Sequence, residues 1–254
     1  MKEVHPKVQP SCKLPECSRT FAPAFAEGIC FSDQATILMK IRVKICCISS
    51  RFEAAQAISA GASALGLVGR MPSGPGVIAD EIIADITRAV PPGVATFLLT
   101  SEQHATDIIE HQQRVQTNTI QLVDRVAPEV YAALRLALPA VKIVQVIHVL
   151  DDASVEEALA AAPLVDALLL DSGNPNLDVK QLGGTGRVHD WRLSRLICEQ
   201  AGVPVFLAGG LNPENARRAI ENVGPFGLDI CSGVRTDGKL DPFKLEKFFQ
   251  AVKD

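Results

Sequence analysis

Along one continuous stretch of this chain, eight short Val/Ile/Leu-dense runs alternate with amphipathic, helix-like segments. That alternation leaves few folds open. The runs are 42–46 (RVKIC), 64–68 (ALGLV), 94–99 (VATFLL), 119–123 (TIQLV), 141–149 (VKIVQVIHV), 165–171 (VDALLLD), 203–209 (VPVFLAG) and 226–232 (FGLDICS). Between them lie segments such as ADEIIADITRAV, ASVEEALAAA and NPENARRAIENV, whose apolar residues recur at helical spacing. Strands this uniformly apolar are buried on both faces, as in a parallel sheet covered by helices. Eight such units closing on themselves predict an α/β fold of the (β/α)8 TIM-barrel type over 39–254. An open doubly wound sheet is the runner-up. Against it, no G-x-G-x-x-G follows the first run; the turn there is Cys46-Cys47-Ile48-Ser49.

Residues 1–38 differ. They are rich in Pro and Ser and lack sustained periodicity, so they read as an N-terminal extension, disordered or loosely packed, with Met39 a natural start for the folded part. Cys12, Cys17 and Cys30 with His5 match no zinc spacing, and no metal is expected. The formal charge of −4 argues against nucleic acid as a partner. No apolar stretch approaches the roughly 20 residues of a membrane span. Seven cysteines without framework spacing point to a reduced, cytoplasmic protein.

In a barrel of this kind, chemistry sits at the C-terminal ends of the strands. Three glycine clusters follow the last three runs: LGGTG (182–186), AGGLNPEN (208–215) and CSGVRTDGK (231–239). Taken singly, each could be only a tight turn. Together, after strands seven and eight, they suit a phosphate, whose oxygens need close approach to backbone N–H groups. Asn212 and Pro213 read there as N-cap and first helical residue. Two titratable groups end strands one and six, Cys46 and Asp171. They would face each other across the mouth as base and acid, with Lys44 on the same strand face as Cys46 to favour a thiolate. On the residues alone, Cys46 reads as well as a small buried hydrophobe, and Asp171 as a cap or ion-pair partner. Cys47 reads as structural, and Cys198 and Cys231 as core.

These residues carry a resemblance. VKICCI is similar to V-K-I-C-G-I, LLLDS to an L-L-D segment, GGTGRVHDW to G-G-T/S-G-x-x-F-D-W, LAGGLNPENARRAI to G-G-L-N-P-E-N-V-x-x-A-I, and GLDICSGVRTDGKLD to x-x-D-V-S-S-G-V-E-x-x-G-x-K-D. From about residue 40 to 252 the chain resembles the phosphoribosylanthranilate isomerase family of tryptophan biosynthesis. The resemblance implies an Amadori rearrangement of an aminoaldose phosphate to an aminoketose phosphate, with no cofactor. Cys46 would be the general base and Asp171 the general acid. Gly184, Gly209, Gly210, Ser232 and Gly233 would hold the phosphate and Gln121 the ribose, with Asp229 as a structural partner of the loops. The partner implied is a small phosphosugar, and the protein a monomer or homodimer.

Departures gather at one end. Cys47 stands where the family has Gly. The second loop, GRMPSGPGV, lacks the arginine that holds the substrate carboxylate, the aligned position falling near Gly76. Val123 replaces a His, and TFLLT replaces G-V-F. Arg70 is the remaining cation of that loop and a candidate for the carboxylate. The alternatives left open are a divergent isomerase of another phosphosugar and a non-catalytic phosphate-binding barrel.

Overall fold

The computed structural model describes residues 41–173 and 189–253. The chain divides into two units, Met1–Ala35 and Thr36–Asp254; the extension expected at 1–38 lies outside the described residues, and everything below concerns the second unit. Eight strands form it: β1 (Arg42–Ile45), β2 (Ala64–Val68), β3 (Ala95–Thr100), β4 (Thr119–Leu122), β5 (Lys142–His148), β6 (Ala167–Asp171), β7 (Val205–Leu207) and β8 (Gly227–Ile230). The helices after them are α1 (Arg51–Ala60), α2 (Asp80–Ala89), α3 (Ala105–Val115), α4 (Pro128–Ala137), α5 (Ala153–Ala161), α6 (Trp191–Gln200), α7 (Ala216–Val223) and α8 (Pro242–Lys253). A small antiparallel pair, β9 (Arg235–Thr236) and β10 (Lys239–Leu240), sits between β8 and α8. Every strand of the eight pairs in parallel with its sequence neighbours, and β1 also pairs with β8, so the sheet closes. Closure rules out the open sheet. Among the described residues no helix is long and apolar enough to cross a membrane.

The pleat sorts each strand into two sets. Val43, Ile45, Leu65, Leu67, Leu98, Leu168 and Leu170 point outward and pack with helix residues such as Ile83, Ile86, Ile108 and Phe248. The alternate positions fill the barrel: Cys46, Ala64, Val68, Phe97, Leu99, Val144, Val146, Leu169 and Phe206. Phe206 meets Phe97 and Phe226 edge-on, with ring centroids 6.0 and 5.3 Å away. The same alternation puts Lys44, Asp171 and Asp229 inside as well. Side-chain period, rather than hydrophobicity, therefore decides which charges the barrel must accommodate.

Local chemistry fixes α1. The Ser50 side chain accepts from the Glu53 N–H at 3.2 Å, while Glu53 reaches back to the Ser49 N–H at 3.0 Å, a reciprocal N-terminal cap. Gly61 ends the helix at φ 114°, a conformation that favours glycine. Glu53 also accepts from the Leu240 N–H and pairs with Arg235 at 3.0 Å, tying α1 to the β9–β10 pair. One expected boundary is displaced. Asn212 does not cap α7, whose N-cap is Asn215. Residues 212–215 form a turn instead, in which Asn212 Oδ1 accepts from the N–H groups of Glu214 and Asn215, and Asn215 Oδ1 accepts from the Asn212 N–H. The Asn212 carbonyl also accepts from the Ala216 N–H at 3.0 Å, so this turn leads directly into α7.

Candidate active site

The C-terminal mouth of the barrel is a cavity. Its floor and walls include Cys46, Gln121, Val123, Val146, Leu169, Asp171 and Asp229. On one side it is bounded by Gly209, Gly210 and Ser232 from the loops after β7 and β8, and on another by Met71, Ser73, Gly74 and Pro75 from the loop after β2. Cys46 and Asp171 thus reach one space from strands three steps apart around the barrel.

Beneath Cys46 lies Lys44, wholly shielded from solvent. Its Nζ donates to Asp229 Oδ1 at 2.9 Å and sits 5.3 Å from the centre of the Phe97 ring. Burial works against the charged ammonium, but Asp229, and then Cys46, hold Lys44 above the ordinary lysine range. Gly66 on β2 makes room for this group: a Cβ there would come within 2.9 Å of both Cys46 Sγ and Lys44 Nζ. Thiol and ammonium are therefore close neighbours over a glycine gap. Asp229, expected to brace the loops, instead holds Lys44.

Asp171 is buried, and its Oδ1 accepts from the Ser172 N–H at 2.7 Å. Burial pushes its carboxyl up, and the nearby Asp229 adds to that. The Ser172 N–H, His148 and Lys44 oppose it without reversing the direction. An acid raised in this way keeps its proton further toward neutral pH than an exposed carboxyl.

The glycine loops divide their work. Gly209 (φ 83°) and Gly210 (φ 63°) occupy left-handed backbone, and their N–H groups donate to no acceptor among the described residues. A Cβ on Gly209 would meet Ser172 Oγ at 2.9 Å and His189 Nδ1 at 3.1 Å. Gly233 is absent from the cavity lining. A Cβ there would lie 2.1 Å from the Leu211 carbonyl oxygen, so its glycine lets the loops after β7 and β8 touch backbone to backbone. Gly184 lies outside the described residues.

Arg70 is exposed on the rim and does not line the cavity. The structure does not bring it to the site. Cys47 takes φ 61°, the positive value that glycine accommodates freely and that costs other residues about 1–2 kcal/mol. Its side chain also explains the second loop. A Cβ on Gly76 (φ 81°) would come within 2.5 Å of Cys47 Cβ, so while Cys47 is present no side chain fits at Gly76. From this follows an order of stability on chemical denaturation. Cys47→Gly should be at least as stable as the parent. Cys47→Ala, which keeps the strain and loses the buried sulfur, should be less stable by about 1 kcal/mol. A Cys47→Gly variant less stable than the parent would show that packing of the sulfur outweighs backbone strain at this position.

Cys231, which the sequence pattern puts in the core, follows β8 and lines the cavity, its Sγ 3.0 Å from Cys47 Sγ. Parity with Asp229 was the available signal, because positions 229 and 231 share a face. Two further neighbours had no sequence signal. Ser172 and His189 flank Gly209; His189 Nε2 bonds Ser194 Oγ at 2.6 Å, while its buried Nδ1 has no partner among the described residues. Burial pushes the His189 imidazole down to about 4, against the opposing pull of Asp190, so the ring is neutral at neutral pH.

With this geometry in place, comparison with known proteins is specific. The family model described as N-(5'phosphoribosyl)anthranilate (PRA) isomerase matches residues 43–251. The chain is 34% identical over 228 residues to the N-(5'-phosphoribosyl)anthranilate isomerase of Methanosarcina acetivorans, covering 85% of this chain and 94% of that one. Among solved structures it is similar to phosphoribosyl anthranilate isomerase from Thermotoga maritima, with TM-score 0.72 and 30% identity over 84% of this chain and 98% of that one. A phosphoribosyl anthranilate isomerase in complex with reduced 1-(o-carboxyphenylamino)-1-deoxyribulose 5-phosphate matches with TM-score 0.69 and 28% identity, covering 84% and 98% of the two chains.

Proposed function

The chain belongs to the N-(5'-phosphoribosyl)anthranilate isomerase family, and from that premise we propose that it catalyses the Amadori rearrangement of phosphoribosylanthranilate, with Asp171 as general acid and Cys46 as general base. The observation that carries the reading is the shared cavity: a burial-raised carboxyl and a thiol beside a buried ammonium line it from different sides, with a glycine loop at one edge.

Each step uses a group already described. The N–H groups of Gly209 and Gly210, with Ser232, take the phosphate, and Gln121 contacts the ribose. Asp171 donates its proton to the furanose oxygen as the C1–O bond breaks, and the anilino nitrogen lone pair forms the C1=N Schiff base. Cys46, as thiolate beside the Lys44 charge, removes the C2 proton. The electron pair moves to C1=C2 and neutralises the nitrogen, giving an enolamine that tautomerises to the 1-amino-2-ketone. Proton transfer accounts for the whole balance, so no cofactor enters. The product would be the ketose phosphate whose reduced form occupies the related isomerase.

The test is direct. Purified protein should consume phosphoribosylanthranilate, and its gene should restore growth without tryptophan to a strain lacking this isomerase. Failure of both would overturn the assignment.

A second reading has one observation in its favour. Among the described residues, no lysine or arginine lines the cavity; the end away from the glycines is made by Val68, Met71, Leu99 and Val123. A divergent isomerase whose phosphosugar carries no carboxylate would suit that wall, since an unpaired carboxylate is costly to bury. Comparing kcat/KM for phosphoribosylanthranilate with that for the anilino analogue lacking the carboxylate decides between them. Equal values or a preference for the analogue would favour the second reading. Arg70→Ala should leave KM unchanged under either reading. A rise of about ten-fold or more, the worth of a charge-assisted bond, would show that the arginine swings in.

A further inference from the structure

Three cysteines crowd one side of the mouth. Cys47 Sγ lies 3.0 Å from Cys231 Sγ and 3.9 Å from Cys46 Sγ. All three are free thiols lining the cavity. Cys47 and Cys231 stand at the ends of adjacent strands, β1 and β8, which are held in register from Arg42↔Gly227 to Ile45↔Ile230. The sheet therefore fixes their approach. Neither thiol has a task in the rearrangement, and Cys47 occupies a backbone conformation unfavourable to any side chain.

We propose that Cys47 and Cys231 form a modification site, a thiol pair that a peroxide-class oxidant converts to a disulfide, and that this bond stops turnover at the neighbouring Cys46. The consequence for turnover rests on the base role given to Cys46; the disulfide itself does not.

The two thiols are unequal. The hydrogen bond they share lowers Cys231 and raises Cys47. Burial opposes the lowering at Cys231, while the Arg235 and Lys44 charges reinforce it. Cys231 is also the more exposed of the two, so it is the sulfur the oxidant reaches and the nucleophile. Its sulfur attacks one peroxide oxygen, the O–O bond breaks, and the hydroxide released is protonated to water, leaving a sulfenic acid on Cys231. The Cys47 sulfur then attacks that sulfur; the S–S bond forms, the S–O bond breaks and a second water leaves. Two electrons pass from the two sulfurs to the peroxide. A dithiol such as dithiothreitol reverses the change by exchange.

A disulfide needs its sulfurs about 2.05 Å apart, so closing a 3.0 Å contact moves both side chains at the mouth and ties the two strand ends covalently. One end carries the Cys46–Cys47 peptide, whose carbonyls Arg235 holds at 3.2 and 2.6 Å. The other carries Ser232 at the edge of the anion site. The new bond therefore sits between the base and the phosphate edge and constrains both.

The reduced full-length protein is exposed to about one equivalent of hydrogen peroxide, its remaining thiols are capped with iodoacetamide, and tryptic peptides are mapped by mass spectrometry. We expect peptides 45–51 and 219–235 to be joined, lighter by two hydrogens, with the cap on Cys46. Turnover should fall by about ten-fold or more and return with dithiothreitol. In Cys231→Ser and in Cys47→Gly, each measured against its own starting rate, the linkage and the reversible loss should both vanish. The proposal is overturned if the linkage is absent, if it runs through Cys46, if it forms while turnover is retained, or if the reversible loss survives in both variants. If the reduced protein turns nothing over, the functional reading fails, and the peptide map alone still decides whether the pair is a modification site.

Discussion

Asp171→Asn should lower kcat by about 10³-fold, within the range that general acid–base catalysis supplies, while leaving the protein at least as stable as its parent. The amide keeps the shape and can still accept from the Ser172 N–H, which the carboxylate does at 2.7 Å. It cannot donate a proton to a ring oxygen. The stability half follows from the raised carboxyl. A folded-state pKa above the unfolded value near 3.9 means that folding is favoured below that value and that the advantage is lost as pH rises through the folded pKa. Asparagine has no ionisation to suppress. The melting temperature of the variant should therefore match the parent near pH 4 and exceed it at pH 8. The parent's turnover should decline as pH climbs past the raised pKa, because the acid form is the working form. A variant retaining a tenth or more of parental activity would take Asp171 out of the acid role. A variant equally active but less stable would make it structural.

Breaking the charge pair inside the barrel should have the largest effect on stability. Asp229→Ala removes the only carboxylate bonded to the fully buried Lys44 among the described residues. An ammonium left unpaired in such a place costs about 3–5 kcal/mol. Replacing both partners with apolar residues, Lys44→Met with Asp229→Leu, should recover most of that loss, since neither charge then needs compensation. The single variant should also show a pH signature. With Asp229 gone, burial, the largest influence on Lys44, is opposed only by the weaker Cys46 and Cys47 contributions and lowers its pKa, so the deficit should narrow as pH rises and the amine sheds its proton. Urea denaturation at pH 6 and pH 9 measures both quantities. A single-variant loss under about 1 kcal/mol, independent of pH, would mean that water or another group already solvates Lys44.

The two experiments separate what the interior charges do. Asp171 faces the cavity and its loss should appear in kcat. The Lys44–Asp229 pair lies under the thiol, and its loss should appear first in folding. Glu53 and Arg235 form the outer counterpart of that pair, fastening α1 and the carbonyls of Cys46 and Cys47 to the β9–β10 segment. The mouth of the barrel is thus held by two charge pairs, both of which adjoin Cys46.

Much of this was present in the chain as written. Eight apolar runs separated by helical periodicity called for a parallel sheet buried on both faces, with a closed barrel favoured over an open sheet by the absence of a glycine fingerprint after the first run, and the strands appear within a few residues of where the pattern placed them. Alternation along each strand is a local property, so it also determined that Lys44, Cys46, Asp171 and Asp229 face inward. The motifs then indicated the glycine loops and the family. What alternation cannot determine is which inward residues meet across the barrel, because that depends on how the closed sheet staggers its strands. Lys44 finds Asp229, 185 positions away. Cys47 meets Cys231 and excludes a side chain from Gly76. Gly233 serves a backbone contact with Leu211 rather than the cavity, and Arg70 stays on the rim. Each of these joins segments far apart in sequence through distances of a few ångströms. The local pattern chose the face for every side chain; closure of the sheet chose its neighbour.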